Sequence, residues 1–244
     1  MADDISVLKT KEEQTLQLET HISHMAEFSL KTQDELAAKK IIYPGMRQRE
    51  MLTVFRDLRT KLLAKSGKDN FSLIVSTLSQ GGGSSFVSVN IAASIAIDER
   101  KTAVYIDCNI EDSYAHTLLQ EAPEVGLMEY LEDPSLEIKD IIYSSGIPRL
   151  RIVPAGTSNE RGVEALASPR MAEFIKDLKI RYPDRFIILD VPPVSESSVA
   201  RILAPMVDMA VLVVPFGKVT TEQILSGVDA VGKERFAGLV FNTE

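Results

Sequence analysis

The sequence predicts an α/β fold with a doubly wound, mostly parallel sheet. Six short apolar segments, rich in β-branched residues and without an alternating polar face, recur along the chain from residue 71 onward. Helical patterns separate them, and a glycine-rich turn follows the first segment. Strands that are apolar on both faces suit a parallel sheet that is covered by helices on both sides. In such layered folds the ligand sites lie at the carboxyl ends of the strands.

Each predicted element rests on its own pattern of residues. The predicted strands cover residues 71–77, 102–107, 150–156, 185–190, 209–214 and 236–242. The predicted helices between them cover residues 85–98, 170–182 and 220–231. Ahead of the first strand, MLTVFRDLRTKLLAK spaces its apolar residues as one face of an amphipathic helix does. Those apolar residues are Leu52, Phe55, Leu58 and Leu62.

A change of composition near residue 44 predicts two parts. Residues 1–44 are polar and charged with a thin apolar stripe, so we expect an N-terminal arm that is helical or disordered. The segment IIYPGM (41–46) supplies a Pro-Gly turn signal at the boundary. Residues 45–244 are then expected to form one α/β domain.

The composition argues against several classes of protein. A net charge of −8 disfavours a generic basic surface, so no nucleic-acid partner is expected. The single cysteine, Cys108, excludes an internal disulfide and is expected to be a small packing residue. The amino terminus lacks a signal-peptide pattern, and the apolar runs are far shorter than the roughly 20 residues of a membrane-spanning helix. We therefore expect a cytoplasmic protein that reaches a membrane only through a partner or a peripheral surface.

The segment STLSQGGGSSFVSVNIA (76–92) has the layout of a phosphate-binding loop, because an apolar strand, a run of glycines and a helix follow one another. The glycines are Gly81, Gly82 and Gly83. Glycines let backbone N–H groups curl around an anion at a helix N-terminus. The full motif GxxxxGK[ST] adds a lysine for the phosphates and a hydroxyl for Mg²⁺. Aligning the last glycines puts Ser84 at the lysine position and Ser85 at the Mg²⁺ position, although a plain Gly/Ser turn explains the loop equally well.

Two aspartates end predicted strands. Asp107 closes TAVYID, and Asp190 closes RFIILD just before two prolines. Each aspartate on its own is also a common helix cap or turn residue. Behind a glycine loop, however, two acidic residues at strand ends form the usual constellation for a Mg²⁺-nucleotide. The combination predicts Ser85, Asp107 and Asp190 as metal ligands.

Together these motifs resemble the bacterial tyrosine kinases (BY-kinases) of polysaccharide export, a branch of the deviant P-loop ATPases that includes the MinD/ParA proteins. The segment 76–92 is similar to their Walker A region, VYIDCNIED to Walker A′ and FIILDVPP to Walker B. The segments FRDLRTKLL, GLMEYL, VPAG, LASPRM and LVFN recur at the expected intervals, so the resemblance covers about residues 46–244. It implies a P-loop NTPase-like domain with Rossmann-type layers.

The resemblance also implies ligands and roles. Mg²⁺ with ATP or ADP is the ligand that it predicts, although the departures described next make binding doubtful. The implied nucleotide-binding residues are Gly81, Gly82, Gly83, Ser84, Ser85, Phe86 and Asn242. Asp107 is the one implied catalytic residue that the sequence retains.

The sequence departs from the family in Walker A. Ser84 replaces the lysine, and Gln80 stands where MinD/ParA members carry a second, signature lysine. Phe86 replaces the threonine or serine that usually follows the Mg²⁺ hydroxyl. Loss of the lysine removes a cation from the phosphates, so we expect catalysis to suffer more than binding.

Further departures lie outside Walker A. In Walker A′ the family pattern D-x-D-x-R becomes Asp107-Cys108-Asn109-Ile110-Glu111, so an amide replaces the second aspartate and an acid replaces the arginine. The ExxRxxR pattern of the family's oligomerisation helix becomes Thr53, Arg56 and Arg59, which predicts either a solvated basic edge or a subunit contact. None of the six tyrosines forms a cluster, so no tyrosine-rich tail is expected.

These features predict a degenerate BY-kinase-like protein of exopolysaccharide synthesis, chain-length control or export. The expected partner is an inner-membrane chain-length or export protein, homo-oligomers are a second expectation, and nucleotide binding is expected to be weak or absent. One alternative is an active tyrosine kinase or ATPase that acts on a partner's tyrosine tail and takes its lysine from a neighbouring subunit or another segment. Candidate lysines are Lys39, Lys40 and Lys61. Another alternative is a localisation ATPase of the MinD/ParA type, and the sequence leaves open whether the protein is an enzyme.

Overall fold

The computed structural model describes residues 31–67, 70–115, 118–119, 123, 125–157, 161–182 and 184–243. The predicted arm before residue 31 lies outside these described residues. Within them, no helix is both long and apolar enough to cross a bilayer.

Seven strands of the described residues form one sheet. They are β1 (Ser72–Thr77), β2 (Thr102–Asp107), β3 (Tyr143–Ser144), β4 (Leu150–Val153), β5 (Arg185–Asp190), β6 (Met209–Pro215) and β7 (Phe236–Asn242). Their order is β3-β4-β2-β5-β1-β6-β7, and every neighbouring pair is parallel except β3 and β4. All six predicted strands and the doubly wound class are confirmed. The prediction for β4 ran three residues too far, because the strand ends at Val153 and VPAG continues as a turn.

Helices cover both faces of the sheet. In the described chain they are α1 (Gln33–Ala38), α2 (Arg49–Ser66), α3 (Ser84–Ala96), α4 (Leu127–Glu132), α5 (Gly162–Leu166), α6 (Pro169–Arg181), α7 (Val199–Leu203) and α8 (Thr221–Val231). Short 3₁₀ turns cover Ile138–Ile141 and Ala204–Met206. Local sequence sets the helix starts: Ser168 caps α6 ahead of a proline at its first position, and Thr220 forms a capping box with Gln223 in α8. The predicted helices are therefore confirmed to within two residues.

The core is divided by the sheet into two apolar layers. Residues of α2 and α3 pack on one face, and residues of α6, α7 and α8 pack on the other. Successive residues of β1 point alternately into the two layers, with Leu73 in the first and Ile74 in the second. This arrangement explains why the central strands read as continuous apolar runs in the sequence.

The described end of the predicted arm packs against the domain. Leu36 of α1 is 3% exposed, and Ile41 and Ile42 are 1% and 0% exposed. Asn90 of α3 accepts a hydrogen bond from the Ile42 N–H at 2.9 Å and donates one to the Lys40 carbonyl at 3.2 Å. Residues 33–42 are thus part of the folded layer next to α3, where the sequence predicted an arm as far as residue 44. A thin apolar stripe is sufficient there because three large aliphatic side chains insert into an existing core.

Candidate nucleotide site

The glycine loop (residues 79–83) connects β1 to α3 at the carboxyl edge of the sheet. Gly81 and Gly83 have φ values of +68° and +84°, which side chains with a Cβ rarely adopt. Gly82 has no room for a side chain, because an added Cβ would overlap the Thr77 Oγ1 atom. The three glycines are therefore required by backbone conformation and by close approach, and they leave the N-terminus of α3 open to the cavity.

Asn242 braces this loop from the end of β7. The Asn242 side chain donates from Nδ2 to the Gly82 carbonyl at 3.2 Å, and the main-chain carbonyl of Asn242 accepts from the Phe216 N–H at 2.8 Å. An added Cβ on Gly83 would also overlap the Asn242 side chain. Asn242, which the resemblance implied as a nucleotide-binding residue, thus lies against the loop and supports its conformation.

Asp107 and Asp190 lie side by side at the ends of β2 and β5, since the two residues are partners in the parallel register. The Asp107 carboxylate accepts hydrogen bonds from the Asn109 N–H at 3.0 Å, the Ser113 hydroxyl at 2.8 Å and the Ala115 N–H at 2.7 Å. A carboxylate offers about four lone-pair positions, so three protein donors occupy most of them.

Asp190 lies in a network of hydroxyl groups. Tyr105 donates to its Oδ2 at 2.8 Å, the Ser85 hydroxyl also hydrogen-bonds to it, and the Ser88 hydroxyl lies 3.1 Å from its Oδ1. The Ser88 hydroxyl also lies 2.7 Å from the Ser84 carbonyl. Because a hydroxyl has one hydrogen, Ser88 donates to only one of these oxygens at a time, and a protonated Asp190 would satisfy the other contact by donating to Ser88.

Burial raises the pKa of both carboxyl groups. Loss of solvation raises the pKa of Asp107 to about 6, even though its hydrogen bonds favour the charged form. Loss of solvation, together with the charge of Asp107, raises the pKa of Asp190 to about 7. Asp190 therefore stays protonated to a higher pH than an ordinary aspartate does.

A cavity of about 630 Å³ opens in front of the glycine loop. Its walls include Ser84, Ser85 and Phe86 from the start of α3, Asn109 from the turn after β2, and both prolines that follow β5. Its acidic rim consists of Glu111, Asp112 and Glu196, all of them exposed. No lysine or arginine is among the described residues that line this cavity.

Phe86, which is one of the substituted positions, and Cys108, which follows Asp107, both pack into the apolar layers. The Phe86 ring packs edge to face with Phe55 of α2, with ring centroids 5.9 Å apart, so the bulky residue is held between the cavity and the apolar layer. Cys108 is fully buried, as predicted, and burial raises the pKa of its thiol.

The sequence resemblance implied an oligomerisation pattern in the segment that forms α2. Arg59 donates from Nη1 to the Ser94 carbonyl at 2.6 Å, so its guanidinium binds the last turn of α3. Thr53 hydrogen-bonds within its own helix, to the Arg49 carbonyl, and Arg56 is exposed. Of the two arginines, Arg59 is the one with a hydrogen bond to α3 among the described residues, and Arg56 points to solvent.

The structure therefore gathers most of the predicted site residues at one edge of the sheet. Ser84, Ser85, Phe86 and the glycines line the cavity, and the two aspartates lie behind it. Sequence inspection missed the residues that bind the aspartates, namely Tyr105, Ser88 and Ser113. Their spacing carried a signal, since Tyr105 and Asp107 share one face of β2 and Ser88 lies one helical turn after Ser84.

Comparisons with solved structures define the class of the fold. The structure resembles the cell division ATPase MinD of Pyrococcus furiosus with a TM-score of 0.57 at 21% identity, covering 70% of this chain and 70% of that one. It resembles the kinase domain of the Escherichia coli tyrosine kinase Etk with a TM-score of 0.72 at 26% identity, covering 78% of this chain and 74% of that one. The fold is thus that of the MinD/ParA-like P-loop ATPases.

Sequence relatives are more specific. The chain is 27% identical over 194 residues to the putative tyrosine-protein kinase EpsB of Ralstonia solanacearum, which covers 78% of this chain but 25% of EpsB. It is 27% identical over 191 residues to the tyrosine-protein kinase CpsD of Streptococcus agalactiae, covering 77% of this chain and 81% of CpsD. No protein-family model matches the chain. The protein is a homologue of the bacterial tyrosine-protein kinases, and it spans about a quarter of the length of EpsB.

Proposed function

We propose that this protein is a degenerate member of the bacterial tyrosine kinase family that works by binding a partner, with weak or no nucleotide binding. The observation that carries this proposal is the lining of the cavity in front of the glycine loop. Three acidic residues surround it, and no cation is among its described lining residues. A nucleoside triphosphate carries several negative charges, so this lining opposes its binding.

The replacement of lysine by Ser84 has a definable cost. A charge-assisted hydrogen bond contributes about 1.5–3 kcal/mol, so its loss weakens nucleotide binding roughly ten- to a hundredfold. The acidic rim adds repulsion, although that effect is small for exposed groups because water and salt screen it. Weak binding is still compatible with the glycine loop, whose backbone N–H groups at the start of α3 fit a phosphate group.

The proposed metal ligands fit Mg²⁺ less well. Asp107 and Asp190 are register partners and Ser85 hydrogen-bonds to Asp190, but protein donors occupy most of the Asp107 carboxylate, and burial raises the pKa of both carboxyl groups. Mg²⁺ requires ionised oxygen ligands or waters in a near-octahedral shell. Mg²⁺-ATP, where it is bound, supplies the phosphoryl group, and these residues would first have to give up their internal hydrogen bonds.

The catalytic positions support binding as the main activity. Phosphoryl transfer depends on positioned charge around the transferred group. Asn109 cannot accept a proton as an aspartate does, and Glu111 provides a negative charge where the family has an arginine. The only retained catalytic candidate is Asp107, whose carboxylate is engaged with Ser113 and two backbone N–H groups.

The biological setting follows from the family resemblance. We propose that the protein acts in the cytoplasm, in exopolysaccharide synthesis, chain-length control or export. Its proposed partner is an inner-membrane chain-length or export protein, through which it reaches the membrane, and it is proposed to form homo-oligomers. The exposed Arg56 on α2 is available for a subunit contact, whereas Arg59 is bound to α3.

Calorimetry with Mg²⁺-ATP and Mg²⁺-ADP tests the proposal, with Ser84→Lys measured alongside the unmodified chain. We expect no binding, or binding weaker than about 100 μM, for the unmodified chain and at least tenfold tighter binding for Ser84→Lys. Ser135→Lys serves as the control, since it adds the same charge at an exposed serine away from the cavity. Micromolar binding by the unmodified chain, followed by phosphorylation of a tyrosine peptide, would refute the proposal.

An active kinase or ATPase is a second candidate, because the braced glycine loop keeps the conformation of a phosphate site. In that case the lysine that the loop lacks comes from a neighbouring subunit or from another segment of the chain. Nucleotide hydrolysis that rises with protein concentration and is abolished by Asp190→Ala would favour this candidate. The alternative of a localisation ATPase of the MinD/ParA type is supported by the fold alone.

A further inference from the structure

The exposed charged residues among the described lining of the cavity are all acidic. Glu111 and Asp112 follow β2, and Glu196 follows β5, so the acidic rim is built from two separate loops. All three residues are exposed, and none has an ion pair with a described lysine or arginine at 4 Å or less. Three carboxylates that line one cavity, none of them in an ion pair with a described lysine or arginine, favour a cationic ligand.

A second, independent feature lies at the inner end of the cavity. Ser84 lines the cavity and is only 7% exposed, yet its hydroxyl has no hydrogen-bond partner among the described residues. Ser84 Oγ is not among the enclosed side-chain atoms that lack a partner, so this hydroxyl is accessible from the cavity. The hydroxyl and the first N–H groups of α3 are therefore donors that a carbonyl-bearing ligand can satisfy.

Between these two ends the walls carry both polar and apolar side chains, and the apolar ones offer a surface for an alkyl chain. The apolar side chains include Phe86, Val163, Pro192, Pro193 and Val199. Long cationic side chains bury their alkyl stems against such surfaces and keep their charged ends in water. A cavity of about 630 Å³ is within the range of sites that hold small ligands and short segments.

We propose that this cavity binds a basic segment of a partner polypeptide. Main-chain carbonyl groups of the segment accept hydrogen bonds from the Ser84 hydroxyl and the glycine loop, and a lysine or arginine of the segment pairs with the acidic rim. The inference rests on the proposed function, because a cavity that holds Mg²⁺-ATP only weakly is open to a peptide. It deepens that function by assigning the partner-binding site and the charge of the partner.

The test uses the full chain without nucleotide at 0.15 M salt, and a fluorescein-labelled hexapeptide of alternating lysine and alanine as the probe. Fluorescence anisotropy reports binding, and a hexapeptide of alternating glutamate and alanine is the opposite-charge probe. The rim variant combines Glu111→Gln, Asp112→Asn and Glu196→Gln. The control combines Glu50→Gln, Glu99→Gln and Glu173→Gln, which removes the same charge from exposed positions outside the cavity.

We expect the lysine peptide to bind, the rim variant to lose about tenfold in affinity and the control to keep its affinity, because each exposed ion pair contributes modestly. The glutamate peptide should not bind. Equal losses in the rim variant and the control would overturn the proposal, since they would indicate attraction to net charge alone. Absence of lysine-peptide binding would overturn it as well.

Variants at Ser84 test the inner end of the cavity. Ser84→Ala should weaken peptide binding by a few fold, whereas Ser84→Lys should weaken it further by repelling the peptide while strengthening Mg²⁺-ATP binding. An unchanged affinity in both variants would contradict the assignment of Ser84. The two proposals fail separately: tight ATP binding by the unmodified chain refutes the proposed function, and the nucleotide-free peptide assay alone decides the binding of a basic segment.

Discussion

At the scale of single residues, the site combines a tightly constrained glycine loop with an acidic cavity lining. The glycines fix the backbone of the loop, while Glu111, Asp112 and Glu196 set the charge of the cavity. Backbone geometry and side-chain charge are separable properties, so a substitution can change one without the other. A single substitution in the loop should therefore change either the stability of the fold or the binding of a ligand, depending on whether it alters the backbone or a side chain that faces the cavity.

Gly82→Ala should act on the fold. The added methyl overlaps the Thr77 Oγ1 atom, and an overpacked core site costs about 1–3 kcal/mol of unfolding free energy. Urea denaturation measures this loss. Thr77→Ala removes the nearest obstructing atom, although the Thr77 Cβ stays close, so the double variant should be more stable than the sum of the two single effects predicts. Additive losses would show that the overlap is not the cause.

At the scale of secondary-structure elements, α3 organises the molecule. It begins at the glycine loop, receives Arg59 of α2 at its last turn and holds residues 40–42 through Asn90. The Asn90 side chain is fully buried and also donates to the Phe86 carbonyl at 2.9 Å. The helix therefore connects the cavity directly to the segment that precedes α2.

Asn90→Ala should loosen that segment. The substitution leaves the Ile42 N–H and the Lys40 carbonyl without their side-chain partner, which costs about 2–4 kcal/mol of unfolding free energy. Chemical denaturation checks the loss, and limited proteolysis should cut first near residue 40. Asn109→Ala is the matched control, because that side chain has no hydrogen bond among the described residues and should change stability by less than about 0.5 kcal/mol. Equal effects of the two variants would contradict a tethering role for Asn90.

The sequence predicted the bounds of some elements accurately and missed others. Strands such as β5 and β6 were predicted nearly to the residue, because burial on both faces leaves long apolar runs. The two-residue β3 has no such run, and its pairing with β4 depends on tertiary contacts. The packing of Ile41 and Ile42 was missed for the same reason, since Asn90 lies 48 residues after Ile42 in sequence. In the site, the strand-end aspartates were predictable, but their internal donors were not, because Ser113 and Ala115 reach Asp107 through an irregular loop.

At the scale of the whole molecule, the aspartate pair makes stability depend on pH. The folded protein holds a proton on Asp190 up to a pKa of about 7, whereas the ordinary value is 3.8. Between these two values the folded state binds more protons than the unfolded state, so the free energy of unfolding falls as the pH rises. One proton contributes a slope of about 1.4 kcal/mol per pH unit at most, and the decline ends above pH 7.

Asp190→Asn should reduce this decline, because the amide stays neutral and can still accept from Tyr105. Urea denaturation between pH 4.5 and pH 8 measures the effect. The free energy of unfolding of the variant should exceed that of the unmodified chain most at pH 7–8. The pH dependence of unfolding that remains in the variant comes from Asp107 and should end near pH 6. Glu99→Gln is a control at an exposed carboxyl group. Identical pH profiles for Asp190→Asn and the unmodified chain would rule out a proton on Asp190.

The hydrogen bond from the Ile42 amide to Asn90 provides a natural spectroscopic reporter. Its acceptor is a side chain of the helix that begins at the cavity, so the ¹⁵N–¹H resonance of Ile42 is sensitive to any displacement of α3. The amide is also fully buried, which should make its exchange with deuterated solvent slow. One isotope-labelled isoleucine thus records, at a distance from the ligand, whether an occupant of the cavity moves the helix or leaves it in place.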